Sequence, residues 1–264
     1  MTFSARDHTF VICAYGESPY LEACIRSLRT QTVRSRIVMA TSTPNETLRR
    51  TAKDYDIKLY VNQYPENGIA ADWDYALRCA DTSLVTLAHQ DDVYLPLYTE
   101  RMLAAVNAAA SPILFSCGYG ELRRGETVVA NRLLNIKKIL RIPMRLMPGV
   151  RAARRLSLAF GDPICCPSVT YVRERMADFR FSRELRCDLD WDAWERLSRE
   201  KGSFVFSPEV LMLHRIHDDS ETSRILGENA RRAEDYQMFR RFWPEGAARR
   251  LADLYAASEK SNRL

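Results

Sequence analysis

Strand-like and helix-like segments alternate through the first third of the chain, and this alternation limits the fold more than any other feature. Four short runs rich in Val, Ile and Leu are typical of buried strands, and amphipathic stretches separate them. The runs are residues 9–14, 36–41, 57–61 and 84–88. Strands that alternate with helices form a parallel sheet with helices on both faces. The sequence therefore predicts an α/β fold with a mostly parallel central sheet flanked by helices.

Three helices are predicted between these strands. The first has Ser18 as its N-cap and Pro19 at its first helical position. The second begins in a capping box over residues 43–46, with Thr43 as the cap. The side chains that the three helices turn to the core recur at helical spacing. They are Leu21, Cys24, Ile25 and Leu28, then Leu48, Ala52 and Tyr55, then Trp73, Ala76, Leu77 and Ala80.

The rest of the chain mixes strands and helices less regularly. Strands are predicted at residues 113–117, 168–172, 204–206 and 210–216, and a hairpin at residues 118–130. Helices are predicted at residues 98–109, at residues 189–200 before the stop signal of Gly202, and from residue 223 onward. We therefore divide the chain into an α/β domain over residues 1–222 and a helical C-terminal extension over residues 223–264.

Two adjacent carboxylates, Asp91 and Asp92, follow the fourth strand directly. A strand interior does not hold unpartnered charges, so both should lie past the strand, at the edge where open α/β sheets bind ligands. Neighbouring carboxylates favour a hard cation such as Mg²⁺ or Mn²⁺, which in turn binds diphosphate oxygens. The alternative is that the pair only begins the next helix. Residues 15–18 lack the glycine pattern of a dinucleotide site or a P-loop.

Composition is that of an ordinary soluble protein. The 264 residues are 46% hydrophobic and 28% charged, and no apolar run approaches the roughly 20 residues of a membrane span. The N-terminus lacks a secretory signal pattern, and the seven cysteines have no metal-type spacing. We therefore expect a cytoplasmic protein with reduced cysteines.

Basic residues are concentrated in residues 127–161, where Asp and Glu are absent. Leu, Ile and Met separate the basic residues, a pattern typical of a segment at an anionic membrane surface. The alternative is a buried helix with surface arginines. Pro143 and Pro148 exclude one long helix. The basic residues are Arg132, Lys137, Lys138, Arg141, Arg145, Arg151, Arg154 and Arg155.

Five segments carry a resemblance to a known protein family. They are VICAYGESPYLEACIRSL, ENGIAADWDYAL, AHQDDVY, LDWDAWERL and HRIHDDSETS, spread between Thr9 and Thr222. AHQDDVY is similar to a D-x-D element, and LDWDAWERL to a late Glu-Asp-x-x segment that carries a catalytic base. In this order the segments resemble the family 2 glycosyltransferases of the GT-A fold, of the type that builds bacterial surface polysaccharides.

The resemblance implies roles for individual side chains. Asp92 matches the last acid of the D-x-D element and would hold Mn²⁺ or Mg²⁺, with His217 as a further ligand. Asp91 would lie beside the ribose and phosphates of the nucleotide. Asp190 matches the acid of the late segment and would be the general base, with Asp188 as the alternative.

The same resemblance implies contacts to the nucleotide. Tyr15 and Glu17 match the loop after the first strand, which borders the base and ribose. Asp72 matches a nucleotide contact, although capping of its helix is the alternative. Many family members have an acid after the second strand that contacts the base, but residues 39–42 read Met-Ala-Thr-Ser. The identity of the nucleobase therefore stays open.

Two pairs of side chains remain near these segments. Strand alternation predicts that His214 and His217 lie on opposite faces of their strand. Trp194 is expected in the core. Trp191 is expected either there or as an apolar floor beneath a sugar.

The resemblance implies an inverting transfer of one sugar from a nucleotide-diphosphate sugar, above all a UDP-sugar, to a glycan or lipid-linked acceptor. A Q-x-x-R-W motif and membrane spans are missing, which argues against a processive synthase. Residues 127–161 would place the protein at the inner face of the plasma membrane, with no nucleic-acid partner. The alternatives are a sugar-phosphate nucleotidyltransferase and a non-catalytic lipid-binding or nucleic-acid-binding protein.

Overall fold

One curled sheet of nine strands runs through the protein, and helices cover both of its faces. The computed structural model describes residues 2–63, 68–217 and 228–260. The strands are β1 (His8–Ala14), β2 (Arg36–Thr41), β3 (Lys58–Val61), β4 (Leu84–His89), β5 (Val93–Tyr94), β6 (Pro112–Arg123), β7 (Glu126–Val128), β8 (Thr170–Val172) and β9 (Ser203–Ile216). Their order is β3-β2-β1-β4-β8-β6-β9-β5, and β7 pairs with β6.

The strand pairings confirm the predicted fold class. The first four strands pair in parallel, as the alternation predicts, and β6 also pairs in parallel with β9. Antiparallel pairings join β8 to β4 and β6, and β5 to β9. The long pairings are parallel, so the sheet is mostly parallel.

The α-helices fall into two groups, one for each apolar core. They are α1 (Leu21–Arg29), α2 (Glu46–Asp54), α3 (Ile69–Cys79), α4 (Tyr98–Ala108), α5 (Arg132–Leu140), α6 (Ile142–Leu146), α7 (Arg151–Leu158), α8 (Leu189–Leu197), α9 (Glu228–Arg240) and α10 (Glu245–Lys260). Phe10 and Ile12 of β1 face the core that contains α1, α2 and α4. Val11, between them, faces the core that contains α3, α8, α9 and α10. Alternation along one strand thus supplies both cores.

The carboxyl ends of three parallel strands coincide. Cys13 near the end of β1 pairs with Ala40 of β2 on one side and with His89 of β4 on the other. The loops that follow these strands therefore meet at one edge of the sheet, where ligands bind in folds of this class.

Two predicted helix starts were wrong. α1 begins at Leu21, two residues later than predicted, and the Ser18 hydroxyl accepts from the Tyr20 N–H at 3.2 Å while it donates to Asp91 at 2.5 Å. The N-cap of α2 is Asn45 rather than Thr43. The Thr43 hydroxyl instead accepts a hydrogen bond of 2.7 Å from the Gly16 N–H. Both hydroxyls fix loops at the carboxyl edge of the sheet.

The two strands predicted at residues 204–206 and 210–216 form one strand, β9. A bulge at Pro208 and Glu209 carries this strand past β6. Gly118 of β6 makes room for the bulge, because a Cβ atom there would lie 2.7 Å from the Glu209 carbonyl oxygen. β9 therefore continues as one strand to the edge of the sheet where β4 ends.

The last two helices pack into the core around α8. Phe239 of α9 meets the Trp191 ring of α8 edge to face, with ring centroids 5.0 Å apart. Ala248 and Ala252 of α10 are buried in the same core. The predicted boundary between residues 222 and 223 lies outside the described residues, so it stays a prediction.

The remaining expectations concern cysteines and membrane spans. All seven cysteines are free thiols in the structure. Across residues 2–63, 68–217 and 228–260, every helix is too short or too polar to cross a bilayer.

Glu234 of α9 holds the loop that precedes α8. Its carboxylate accepts backbone hydrogen bonds of 2.7–3.1 Å from Arg186, Cys187 and Asp188. Glu234 is only 8% exposed, so these N–H groups have little access to water as an alternative partner. One carboxylate from the C-terminal helices therefore fixes the chain that leads into α8.

We expect Glu234→Ala to lower the free energy of unfolding by about 2 kcal/mol, because it leaves backbone donors without their charged acceptor. Glu234→Gln should cost less, since its amide oxygen still accepts. Urea unfolding curves measure both. Glu245→Ala on α10 is the matched control, because Glu245 lies at the surface in an exposed ion pair with Arg249. Equal destabilisation by Glu234→Ala and Glu245→Ala would contradict the account.

Candidate active site

A cavity of about 640 Å³ lies at the carboxyl edge of the sheet. The ends of β1, β2, β4 and β9 line it, together with the first turns of α3 and α8. Lys137 of α5, the loop around Asp162, Arg231 of α9 and Tyr255 of α10 complete its wall. Segments from the whole length of the chain thus meet around one space.

Asp92 is the buried member of the carboxylate pair after β4. It is 1% exposed, and its Oδ1 accepts hydrogen bonds from the His214 ring at 3.0 Å and the Arg215 N–H at 2.8 Å. Its Oδ2 is buried and has no hydrogen-bond partner among the described residues. Burial raises the pKa of Asp92, but His214, His89 and the Arg215 N–H together lower it, and the pKa stays below its ordinary value. Asp92 is therefore a charged lining residue of the cavity, and one of its two oxygens has no hydrogen-bond partner among the described residues.

Asp91 is held by the loops on either side of it. Its Oδ1 accepts from the Ser18 hydroxyl at 2.5 Å, and its Oδ2 lies 3.3 Å from Nε2 of His217. The Arg215 guanidinium donates to the Asp91 carbonyl oxygen at 2.8 Å and lies over the Tyr20 ring. The end of β9 thus fixes the backbone as well as the side chains of the pair.

Both histidines reach the carboxylates, so the prediction that they lie on opposite faces was wrong. β9 ends at Ile216, and alternation does not extend to His217 beyond it. The histidine beside Asp92 is His214, while His217, predicted as a metal ligand, contacts Asp91. Sequence reasoning did not assign His214 to the site, because strand alternation predicted that its side chain lies on the face opposite to that of His217.

The carboxylates fit a divalent cation that also binds phosphate oxygens. Within the described residues, no three His, Cys, Asp or Glu side chains form a ready metal cage. Mg²⁺ and its analogue Mn²⁺ do not need one, since one or two carboxylates, water and substrate phosphates hold such ions. The free Oδ2 of Asp92 suits this mode, and Asp91 lies next to it.

The three acids at the start of α8 have different surroundings. Asp190 lines the cavity, and its Oδ1 accepts from the Trp191 N–H at 2.9 Å. Asp188 also lines the cavity but is 5% exposed, and burial raises its pKa well above the ordinary value. Asp192 points away from the cavity and pairs with Arg196 and Arg241. Asp190 is therefore the more accessible candidate for the general base.

Trp191 does not form a floor beneath a sugar. Its ring is fully buried, and its indole N–H donates to the Leu158 carbonyl oxygen at 3.1 Å. Trp194 is also fully buried, as expected. Both tryptophans hold α8 in the core, which positions Asp190 at the cavity.

Of the predicted nucleotide contacts Tyr15, Glu17 and Asp72, two lie in the cavity wall. Tyr15 is 48% exposed, and its backbone exchanges two hydrogen bonds with the Gln90 side chain. The Asp72 carboxylate accepts from the Ser42 hydroxyl at 2.8 Å, at the end of β2. Glu17 accepts from the Thr47 hydroxyl outside the cavity. The structure therefore does not bring Glu17 to the site.

The basic segment contributes one side chain to the wall of this cavity. Lys137 is among the lining residues. It lies beside Tyr119 and Asp162, another residue that the sequence analysis missed. The sequence does distinguish Asp162, because it is the first acid after the acid-free residues 127–161. Its partners come from distant segments, so the sequence alone does not reveal them.

Comparisons with known proteins agree with this geometry. Residues 9–178 match the model of the family described as "Glycosyl transferase family 2". No curated protein matches the chain.

Solved structures share the fold. TarS 1–349 of S. aureus in complex with UDP-GlcNAc is 14% identical, with a TM-score of 0.64 over 93% of this chain and 70% of that chain. Glucosyl-3-phosphoglycerate synthase from Mycobacterium tuberculosis, in complex with Mn²⁺ and UDP-Glc, is also 14% identical. Its TM-score is 0.56 over 87% of this chain and 77% of that chain. The fold is GT-A, and the chain belongs to glycosyl transferase family 2.

Proposed function

We propose that the protein is an inverting glycosyltransferase that moves one sugar from a nucleotide-diphosphate sugar, above all a UDP-sugar. The acceptor is a hydroxyl of a glycan or lipid-linked molecule in surface polysaccharide synthesis. The observation that carries the proposal is the buried, free Oδ2 of Asp92, which shares its cavity with a separate carboxylate, Asp190. The first group suits a diphosphate with its metal, and the second suits an acceptor hydroxyl.

The donor lies along the carboxyl edge of the sheet in this proposal. The exposed ring of Tyr15 offers a stacking surface for the base, and Asp91 lies towards the ribose and phosphates. The Asp72 carboxylate of α3 lies beside Ser42, just past the end of β2. It therefore places an acid where residues 39–42 contain none of their own. Solved structures of similar fold contain UDP-GlcNAc or UDP-Glc, which supports a UDP-sugar as the donor.

Asp92 would hold Mn²⁺ or Mg²⁺, with Asp91 and His217 beside it. When bound, the metal supplies Lewis-acid stabilisation of the charge on the departing diphosphate. Structures of glucosyl-3-phosphoglycerate synthase with Mn²⁺ and with Mg²⁺ support either ion.

Asp190 removes the proton from the acceptor hydroxyl as its oxygen bonds to the anomeric carbon. The bond from that carbon to the diphosphate oxygen breaks on the opposite face, and its electron pair leaves with the diphosphate. The configuration at the carbon therefore inverts. Burial raises the pKa of Asp190 above its ordinary value, which makes it a stronger base than an exposed aspartate.

The acceptor side faces an anionic membrane in this proposal, through α5, α6 and α7. Of the eleven large apolar side chains that are exposed in the described residues, nine lie between Val129 and Phe160. Ile136, Ile139, Ile142 and Leu146 recur at helical spacing along α5 and α6. They therefore form one outward apolar stripe.

Only part of the basic segment is available to such a surface. Arg141 and Arg154 are 2% and 1% exposed, and their guanidinium groups donate to backbone carbonyl oxygens. The exposed basic residues flank the stripe, and they are Arg132, Lys138, Arg145 and Arg151. An apolar stripe with basic flanks is the pattern of a helix that lies in an anionic lipid interface.

Asp92→Asn should abolish the Mn²⁺-dependent part of the thermal stabilisation by a nucleoside diphosphate, while the fold survives. Asparagine keeps the size and an acceptor oxygen but loses the charge. Melting temperatures with UDP, GDP, CDP and ADP, each with and without Mn²⁺, measure this, because a ligand of the folded state raises the melting temperature. Asp54→Asn on the exposed surface of α2 is the control. If no nucleotide stabilises the wild type, or the variant keeps the full shift, the donor site is wrongly assigned.

Asp190→Asn should reduce kcat for donor hydrolysis by on the order of 10²–10⁴, the usual contribution of a positioned base. The dissociation constant for UDP should change little, because Asp190 does not hold the diphosphate. Asp188→Asn, with its more deeply buried carboxyl group, should have a smaller effect. If Asp188→Asn is inactive and Asp190→Asn is active, the base is Asp188.

Vesicle co-sedimentation tests the membrane surface. Lys138→Gln with Arg145→Gln should weaken binding to anionic vesicles roughly 30-fold, since each basic residue contributes about 1 kcal/mol. Ile139→Ser with Leu146→Ser should weaken it through lost apolar burial.

Two matched controls accompany these variants. Leu254→Ser changes a leucine on α10 that is 69% exposed, against 70% for Leu146. Arg49→Gln with Arg50→Gln removes two exposed charges from α2. Binding should persist in both controls. A wild type that ignores anionic vesicles at low salt would refute the membrane surface.

A further inference from the structure

Lys137 of α5 places a cation in the wall of the cavity. Its Nζ lies 5.8 Å from the centre of the Tyr119 ring, and Tyr119 itself lines the cavity. Burial lowers the pKa of Lys137, but its neighbours, Tyr119 first among them, outweigh burial and the pKa lies above its ordinary value. The side chain is therefore charged at neutral pH.

The charge of Lys137 has no ion-pair partner among the described residues. Asp162 and Asp190 act on it only from beyond ion-pair distance. Arg141, one turn further along the chain, is different, because its guanidinium donates to the carbonyl oxygens of Lys137 and Cys117 at 3.2 and 3.3 Å. A cation without a counterion in the wall of a cavity attracts an anion to that cavity.

A second cation, Arg186, lines the cavity on the loop that leads into α8. Its N–H donates to the Glu234 carboxylate at 2.9 Å, which fixes the backbone at this point. The side chain is exposed, and within the described parts of the chain it has no ion-pair partner either. Asp190, the proposed base, follows four residues later. Arg186 therefore lies on the segment that carries the base.

The order of the strands separates Lys137 from the proposed donor. In the proposed function, the nucleoside lies at the ends of β1 and β2, and the diphosphate lies at the end of β4. β8 and then β6 follow β4 in the sheet, and Tyr119 belongs to β6. A donor that extends from β2 to β4 therefore directs its sugar towards the strand beside Lys137. The cation lies beyond that sugar, on the side of the acceptor.

The helix that carries Lys137 also carries the proposed membrane surface. Ile139 is 63% exposed, and it lies two residues later, which is about 200° further round the helix. Lys137 and the apolar stripe are therefore on opposite sides of α5. A helix is about 10 Å across, so a group bound at Lys137 lies roughly that far from the stripe. This distance is comparable to the depth of the headgroup region, where a lipid-linked acceptor carries its phosphate.

We propose that Lys137 and Arg186 bind a phosphate group of the acceptor, so that the molecule that receives the sugar is a phosphate-bearing one rather than a neutral glycan. This inference rests on the proposed function and narrows its acceptor. Lysine and arginine bind phosphate oxygens through charge-assisted hydrogen bonds. A phosphate held by both side chains fixes the neighbouring hydroxyl at Asp190. The phosphate itself stays intact, and only the hydroxyl oxygen bonds to the sugar.

Calorimetric titration of sn-glycerol 3-phosphate into protein saturated with UDP tests the site, because UDP already fills the donor site. Both solutions contain the same concentration of Mn²⁺, and glycerol is the uncharged control ligand. We expect the wild type to bind the phosphate ester and not glycerol. Lys137→Met removes the charge but keeps a long side chain, and it should weaken binding about tenfold or more, as should Arg186→Met. The dissociation constant for UDP should change less than twofold in both variants.

A control variant and a second ligand complete the design. Lys53→Met removes an exposed cation from α2 and should leave binding of the ester unchanged. Arg186 is exposed, so Arg186→Met keeps the test decisive if Lys137→Met does not fold. The second ligand is polyprenyl phosphate in vesicles of neutral phosphatidylcholine, measured by co-sedimentation. Binding of the soluble ester indicates that phosphate alone is recognised, and binding of the vesicles alone indicates a lipid source.

Failure of the UDP complex to bind either phosphate would overturn the inference. So would full binding in Lys137→Met or in Arg186→Met. Equal weakening of UDP and of the ester by Lys137→Met would also overturn it, because Lys137 would then hold the diphosphate of the donor. Failure of the wild type to bind UDP would instead refute the proposed donor site.

Discussion

Burial of Asp92 at the end of β4 is the constraint on which the rest of the site depends. An ionised carboxylate away from water is very costly unless charged or hydrogen-bonding partners accompany it. The His214 ring and the Arg215 N–H of β9 provide those partners. β9 must therefore run its whole length, past the bulge at Pro208 and Glu209, to bring its end to this edge. Its partners among the described residues use one oxygen of Asp92, and the other is the oxygen that we propose as a metal ligand.

The same edge gathers segments that are far apart in the chain. α8 is held by its tryptophans in the core and by Glu234 of α9, so Asp190 is fixed in the wall of the same cavity as Asp92. In the acid-free segment, residues 127–161, some side chains are buried in the protein and others are exposed to solvent. Lys137 faces the cavity, the arginines at 141 and 154 satisfy carbonyl oxygens in the interior, and isoleucine and leucine side chains face solvent. Part of the charge of this segment is thus buried and part of its apolar surface is exposed, unlike in a simple amphipathic helix at a protein surface.

Local patterns were enough to predict the first four strands and the cores of their helices, because periodicity is a property of neighbouring residues. They also placed Asp91 and Asp92 at the carboxyl edge, since charge cannot remain inside a strand. Helix starts failed at Ser18 and Thr43, whose hydroxyl groups bind distant segments. His214 and Asp162 were missed for a related reason. Their significance comes from contacts with residues that are remote in sequence, and no local pattern encodes those contacts.

A metal bound at Asp92 together with a nucleoside diphosphate is the central claim. Crystals grown with UDP and Mn²⁺, measured near the manganese absorption edge, test it most directly. The account predicts one anomalous peak within coordination distance of Asp92 Oδ2 and the diphosphate oxygens. It also predicts that the uracil ring of UDP lies beside Tyr15. Ordered UDP with its diphosphate away from Asp91 and Asp92, or manganese bound only elsewhere, would contradict it.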